Sequence, residues 1–248
     1  MVNSPSPGTR TITSIDVHAE GEVGRVLVGS HLLVRGTTWS ERMRWCETEL
    51  EWLRRIVLRE PRGNPAMCGV LVLPPLDPTA DIGIVILEQG GFRPMSGATL
   101  MCAVTALLET GSLPATKPET VVRVDTAVGA VEATARVEGG RVRWVRVRNV
   151  PSFALALDRK IVVPEYGTVT ADARGELGLR VPFVHEGVLG TTFRGMLHER
   201  TTVGDHQAVV PSIQGRAWIT GHVQHVVAPD DPFPMGLTVG DIWSPVPD

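Results

Sequence analysis

Aromatic residues, cysteines and long apolar runs are all scarce in this chain of 248 residues. Aromatic residues make up 5% of the chain, with a single tyrosine. The three cysteines, Cys46, Cys68 and Cys102, are an odd number, widely spaced and without a C-x-x-C pair. That pattern is typical of neither a disulfide framework nor a zinc site. The most apolar stretch, residues 68–87, is interrupted by aspartates and prolines and is no membrane span.

The chain also lacks blocks of charge. Its 24 basic and 27 acidic residues are scattered and give a net charge of −3. A nucleic-acid-binding protein usually carries a basic stripe, and membrane tethering needs a polybasic segment, so we expect neither partner. Residues 1–10 are polar and rich in proline, serine and glycine, which predicts a flexible tail rather than a secretory signal. We therefore expect a cytoplasmic protein.

Hydrophobic residues (43%) and charged residues (21%) are in the range of soluble globular proteins. Alternating and β-branched segments predict strands at residues 11–17 and 25–34, and further strands dominate after residue 120. A helix is predicted from Ser40 to about Arg59, where Pro61 ends it. Few helices among many strands predict an α+β fold.

The most informative segment is a helix predicted over residues 97–109, with Ser96 as its N-cap. It has no charge before Glu109, and a helix that is apolar all round is a buried one. Its free backbone N–H groups therefore need partners inside the protein. A helix N-terminus attracts anions, so a small carboxylate substrate would suit it.

Simpler interpretations stand beside each candidate. Ser96 is compatible with an ordinary N-cap, and no Gly-x-Ser-x-Gly elbow supports a serine hydrolase. Cys102 is better explained as a core residue than as a nucleophile. His222 and His225 are three positions apart on a predicted strand, so they face opposite sides and make a poor metal chelate. Residues 18–22 are explained by an ordinary solvated turn between two strands. Residues 60–63 are explained by a proline and a glycine that end the preceding helix.

Several segments, in order along nearly the whole chain, resemble the proline racemase family. That family includes hydroxyproline epimerases and trans-3-hydroxy-L-proline dehydratases. The matching segments are residues 16–22 (DVHAEGE), 60–63 (EPRG), 95–97 (MSG), 108–111 (LETG), 173–177 (ARGEL), 183–186 (FVHE), 219–221 (ITG) and 230–233 (DDPF).

The resemblance implies a diaminopimelate-epimerase-like fold, in which each of two similar lobes curls a sheet around a central helix. It places the first lobe at residues 11–150 and a shortened second lobe with return strands at residues 151–248. It also implies chemistry at the α-carbon of a small proline-type amino acid, without a cofactor or metal.

In the racemases a cysteine at each helix start moves protons, and Ser96 stands where the first of these normally is. The resemblance assigns Ser96 as catalytic, and Gly97, Ala98 and Thr99 as substrate-binding. Many relatives have histidine at the position of Ala98, so one side-chain contact is lost here.

The sequence departs from the family in its middle. Asp172 runs directly into Ala173, where relatives carry a second cysteine motif that opens the second central helix. The second catalytic residue therefore has no counterpart. We expect a trans-3-hydroxy-L-proline dehydratase or, alternatively, a 4-hydroxyproline 2-epimerase, weak or inactive in this shortened form. A non-catalytic remnant that self-associates is the alternative of another class, because a half-built lobe exposes apolar surface.

Overall fold

The structure is a computed structural model that describes residues 10–116, 118–154, 159–163, 167–171 and 177–238. Its regular elements, in chain order, are β1 (Arg10–Ala19), β2 (Glu22–Leu27), α1 (Trp39–Glu49), α2 (Glu51–Leu58), β3 (Cys68–Leu73), β4 (Ile82–Glu88), β5 (Gly91–Arg93), α3 (Gly97–Glu109), β6 (Glu119–Thr126), β7 (Gly129–Glu138), β8 (Arg141–Arg148), β9 (Arg159–Val163), β10 (Gly167–Ala171), β11 (Phe183–Glu186), β12 (Thr192–Val203), β13 (His206–Gly215) and β14 (Ala217–Val227). A short 3-10 turn covers Ser30–Leu33.

The chain divides into two compact units. The first comprises Met1–Val147 and Gln214–Asp248, and the second comprises Arg148–Ile213. Strands of the first unit form a mixed sheet in the order β8-β7-β6-β4-β3-β2-β1-β14, with β5 paired to β4. The C-terminal strand β14 pairs antiparallel with β1, so the end of the chain completes the sheet that its beginning starts.

Helices cover both faces of this first sheet. One apolar cluster joins α1 and α2 to side chains such as Leu27, Leu71 and Leu87. Gly24 is three residues before Leu27, on the opposite face of β2, and there it lies against Cys102 of α3. A strand covered on both faces is apolar throughout, and every residue of Ile82–Leu87 in β4 is buried.

The second unit is built from strands. Its strands run in the order β11-β12-β13, and β9 pairs with β10 as a separate antiparallel hairpin. Its described residues include no helix. Several of its large apolar side chains are exposed, among them Val181, Val184, Val188 and Leu189.

Two predicted elements are wrong in their bounds. The helix expected from Ser40 to Arg59 is two helices, because Leu50 leaves the helical region (φ −116°, ψ 10°) between α1 and α2. The N-cap of α1 is Thr38, whose hydroxyl accepts from the Glu41 N–H in a capping box. The strand expected over residues 25–34 ends at Leu27 and is followed by the 3-10 turn.

Candidate functional site

The predicted apolar helix is present with the expected bounds, as α3. Residues 98–108 are all buried, whereas Ser96 and Gly97 at its start are partly exposed. The start of α3 therefore remains accessible while the rest of the helix is packed into the first unit. The N-terminus is the electropositive pole of a helix, and in α3 this pole lies at an accessible end.

Ser96 occupies the N-cap position with extended backbone angles (φ −149°, ψ 129°), but its side chain makes no capping hydrogen bond. Its Oγ instead lies 3.0 Å from the Oγ1 of Thr99. The Ser96 carbonyl accepts the first helical hydrogen bond, from the Leu100 N–H at 3.0 Å. The helix therefore starts as predicted, with its serine hydroxyl turned away from the usual capping role.

The consequence is a set of free donors. Within the described part of the chain, no acceptor is hydrogen-bonded to the N–H of Gly97, Ala98 or Thr99. Such N–H groups at a helix start suit an anion, which they can bind together with the helix dipole. These are the three residues to which the family resemblance assigns substrate binding.

Cys102, one and a half turns further along α3, is 1% exposed. A Cβ built on Gly24 would lie 2.8 Å from its Sγ, so helix and strand approach each other closely here. Burial, with smaller contributions from Glu22 and Cys68, raises the pKa of the Cys102 thiol. A thiol kept protonated is a poor nucleophile, so Cys102 is a core residue, as the sequence indicated.

A further group of titratable residues lies where β2 and β3 begin and β4 ends. Burial and the charge of Glu88 raise the pKa of Glu22. Burial, Glu22 and Glu88 together raise the pKa of Cys68. Arg93 approaches Glu88 at 3.4 Å. Sequence analysis did not bring these residues together, because they come from three separate segments that only strand pairing makes neighbours.

The loop after β1 is more ordered than the solvated turn expected for residues 18–22. The Gly21 N–H donates to Nδ1 of His18 at 3.2 Å, and the His18 ring stacks on Trp218 with centroids 5.1 Å apart. The Arg216 N–H donates to Oε1 of Glu20 at 2.8 Å, and the Glu20 N–H donates to the Arg216 carbonyl at 3.0 Å. These contacts bind the loop to the start of β14.

The segment at residues 60–63 also does more than stop a helix. Arg62 forms an ion pair with Asp231, and its Nε donates to the Val226 carbonyl at 3.1 Å. A Cβ at Gly63 would lie 2.3 Å from the backbone of Leu58, so only glycine fits there. Residues 60–63 and 230–233, two of the family-like segments, are thus structural partners.

His222 is exposed and His225 is buried, as their spacing predicted. His225 is engaged by a hydroxyl, since its Nε2 lies 3.0 Å from the Oγ of Ser14. In the described ranges, no group of three or more His, Cys, Asp or Glu side chains is arranged to hold a metal ion. None of the described helices is long and apolar enough to cross a membrane. The Asp172–Ala173 junction lies outside the described residues.

Comparison with known proteins agrees with this architecture. A hydroxyproline epimerase from Agrobacterium vitis, solved with bound trans-4-hydroxy-L-proline, matches with a TM-score of 0.85 at 24% identity over 95% of this chain and 96% of that one. The fold is therefore the diaminopimelate-epimerase-like α+β fold that the sequence predicted. The proline racemase family model matches residues 14–174 and 171–238, and the chain belongs to the proline racemase family.

Two curated relatives are called 4-hydroxyproline 2-epimerase. The one from Streptosporangium roseum is 31% identical over 327 aligned positions, covering 92% of this chain and 98% of the relative. The one from Agrobacterium fabrum is 37% identical over 226 residues, covering 85% of this chain and 65% of the relative. The 327 positions exceed the 248 residues of the chain, so the first relative has sequence without a counterpart here. This is consistent with a truncated second lobe.

Proposed function

We propose that this chain binds a hydroxyproline through the start of α3 and acts on its α-carbon without a cofactor. In this proposal the carboxylate accepts from the N–H groups of Gly97, Ala98 and Thr99, and Ser96 lies beside the α-carbon. The observation that carries the proposal is the set of N–H groups that have no acceptor in the described ranges, at a helix end that is accessible. Backbone donors fixed in a helix do not have to be reorganised for a ligand, which favours binding.

The favoured reaction is 2-epimerisation of 4-hydroxyproline, because the curated relatives carry that name. Dehydration of trans-3-hydroxy-L-proline is the second candidate. Both begin when a base removes the α-proton and its electron pair is delocalised into the carboxylate. Because Ser96 has only the Thr99 hydroxyl as its side-chain partner in the described chain, a solvent water or hydroxide has to accept this proton. In epimerisation a proton is then added to the opposite face of the α-carbon. In dehydration the carbanion expels the 3-hydroxyl as hydroxide, which takes up a proton to become water, and a C2–C3 double bond forms.

We expect turnover by this chain to be slow. A serine hydroxyl needs a partner base before it can accept a proton from carbon. The side chain hydrogen-bonded to Ser96 is the hydroxyl of Thr99, which is no base. Ser96 is therefore assigned as a hydrogen-bond and proton donor. The family's second acid–base residue has no counterpart in this sequence.

The test is to incubate the purified chain in D₂O with 4-hydroxyproline, trans-3-hydroxy-L-proline and proline. NMR then follows α-deuterium incorporation, the C2 epimer and any ketone or imine product. We expect slow exchange with 4-hydroxyproline, reduced at least about tenfold in Ser96→Ala because a positioned proton donor typically contributes that much or more. Ser112→Ala, an exposed serine beyond the other end of α3, is the matched control.

The outcomes separate the classes of function. Formation of the dehydration product without the C2 epimer would identify the reaction as dehydration and not epimerisation. Exchange that Ser96→Ala leaves unchanged would remove Ser96 from the mechanism. Binding of pyrrole-2-carboxylate, a planar mimic of the carbanion, without any exchange would favour a non-catalytic binding protein.

We also propose that the chain self-associates through the exposed apolar side chains of its second unit.

A further inference from the structure

The contact between Ser96 and Thr99 differs from those of two other threonine hydroxyls, one in α1 and one at the C-cap of α3. The hydroxyl of Thr48 donates to the carbonyl of Arg44 at 3.0 Å, and that of Thr110 donates to the carbonyl of Ala106 at 2.7 Å. Both are the usual bonds to the residue four positions earlier. Thr99 makes no such bond and pairs with the Ser96 hydroxyl instead.

Burial indicates which hydroxyl donates. Thr99 is 2% exposed, and in the described chain its hydroxyl has no acceptor other than Ser96. If Ser96 were the donor, the Thr99 O–H would be a buried donor without a partner, which is unfavourable. The favoured direction is therefore Thr99 O–H to Ser96 Oγ. That leaves the O–H of the partly exposed Ser96 free at the start of the helix.

The hydrogen bond between Thr99 and Ser96 also affects the backbone N–H groups at the start of α3. A serine at an N-cap normally accepts from the N–H of the second or third helical residue. Here those residues are Ala98 and Thr99, whose N–H groups have no partner in the described chain. With its Oγ directed to Thr99, the Ser96 side chain makes no capping bond to either N–H, so both stay available to a ligand.

We infer that Thr99 is a positioning residue: its buried hydroxyl orients Ser96 as a donor and keeps the N–H groups of Ala98 and Thr99 free. This adds a role for the side chain to the backbone role proposed above. The expected effect of Thr99 on catalysis rests on the proposed function. Its expected effects on the Ser96 side chain and on the N–H groups of the ligand-free protein do not.

The variant that tests it is Thr99→Val, which keeps the shape and removes the hydroxyl. We expect Ser96 to turn and cap the helix, so that the amide hydrogen of residue 98 or of residue 99 exchanges about two- to tenfold more slowly, the effect of one ordinary hydrogen bond. Thr99→Ser restores a hydroxyl and should restore fast exchange. Three-bond couplings of Ser96 should show its χ1 angle changing in Thr99→Val alone.

Thr105→Val is the matched control, because Thr105 is a fully buried threonine of the same helix whose hydroxyl has no partner among the described residues. It should leave the Ser96 couplings and the amides of residues 98 and 99 unchanged. Unchanged exchange and couplings in Thr99→Val would overturn the inference, as would an equal change in Thr105→Val. These measurements use the ligand-free protein, so they decide the inference even where the wild type shows no turnover.

A ligand experiment extends the test. Calorimetric titration with pyrrole-2-carboxylate should show weaker binding by Thr99→Val, together with undiminished thermal stability, since a new cap replaces the lost contact. A merely structural role predicts the reverse, lower stability with affinity unchanged. Failure of the wild type to bind this probe contradicts the proposed function and leaves the exchange result standing as the measure of the inference.

Discussion

At the scale of single residues, the contact between Gly24 and Cys102 limits how closely α3 and β2 can approach each other. A Cβ on Gly24 would lie 2.8 Å from Sγ and 3.1 Å from Cβ of Cys102. The first of these distances is shorter than real Cβ contacts, so the Cys102 side chain, the helix or the strand would have to move. The pair therefore fixes how closely α3 packs on β2.

We expect Gly24→Ala to lower the free energy of unfolding by about 1–3 kcal/mol, the usual cost of overpacking a core. Removing Sγ with Cys102→Ala should make the same glycine substitution less costly. A double-mutant cycle measured by urea unfolding gives this coupling directly. Gly221→Ala is the control, because its nearest neighbour is an ordinary contact at 3.9 Å. Equal costs for Gly24→Ala with and without Cys102 would contradict the packing argument.

At the scale of elements, a buried polar network links β1, β2 and β14. Arg25, 4% exposed, pairs with Asp16 at 2.7 Å and donates to the Arg62 carbonyl at 2.7 Å. Burial alone would raise the pKa of Asp16, but Arg25, with smaller contributions from Ser14 and His225, outweighs burial and the pKa is lowered. His225 completes the network through Ser14. The N-terminal and C-terminal strands are thus joined by polar as well as backbone contacts.

His225 should make the stability of the first unit depend on pH. Burial, together with Arg25 and Arg62, lowers the pKa of His225 from 6.5 to about 4. The unfolded chain therefore binds a proton before the folded one does, and stability falls as the pH drops from about 6.5 to about 4. The loss should reach about 1–3 kcal/mol.

Urea unfolding at pH values across this range measures the effect. His225→Gln can keep a hydrogen bond to Ser14 but does not titrate, so its stability should change much less with pH. Asp16 adds a loss in the same direction only below its ordinary pKa of 3.8. A pH dependence in His225→Gln equal to that of the wild type would assign the effect to other groups.

At the scale of the whole molecule, the two units differ in how well their apolar residues are covered. The first has a continuous core in which most large side chains of β3, β4 and α3 are inaccessible. In the second, Val188 and Leu189 are almost fully exposed, and Val184 in β11 is 58% exposed. Exposed apolar surface on this scale favours association.

Light scattering should therefore give a mass above the 26.8 kDa of a single chain. Val184→Lys places a charge on β11 and should lower that mass toward the monomer, since charged residues protect strands from association. Val226→Lys is the control, because Val226 is 55% exposed but lies in the first unit. A monomeric wild type, or equal effects of the two variants, would contradict association through the second unit.

Sequence reasoning succeeded where a local pattern has one physical solution. Residues 97–108 carry no charge, which predicts a buried helix, and the bounds 97–109 were correct because Ser96 and Gly111 mark its ends. The break at Leu50 was missed, although the capping box of Thr38 and Glu41 was readable and would have corrected the start of α1.

The sequence by itself determined the fold class, the family and the apolar helix that carries the candidate site, because periodicity, capping chemistry and motif order are local or collinear properties. The tertiary structure alone showed that the Ser96 hydroxyl contacts Thr99 and makes no capping bond. It also decided the pairing of Arg62 with Asp231 and the neighbourhood of Glu22, Cys68 and Glu88. Those contacts join distant segments, and only the folded sheet brings them within reach of one another.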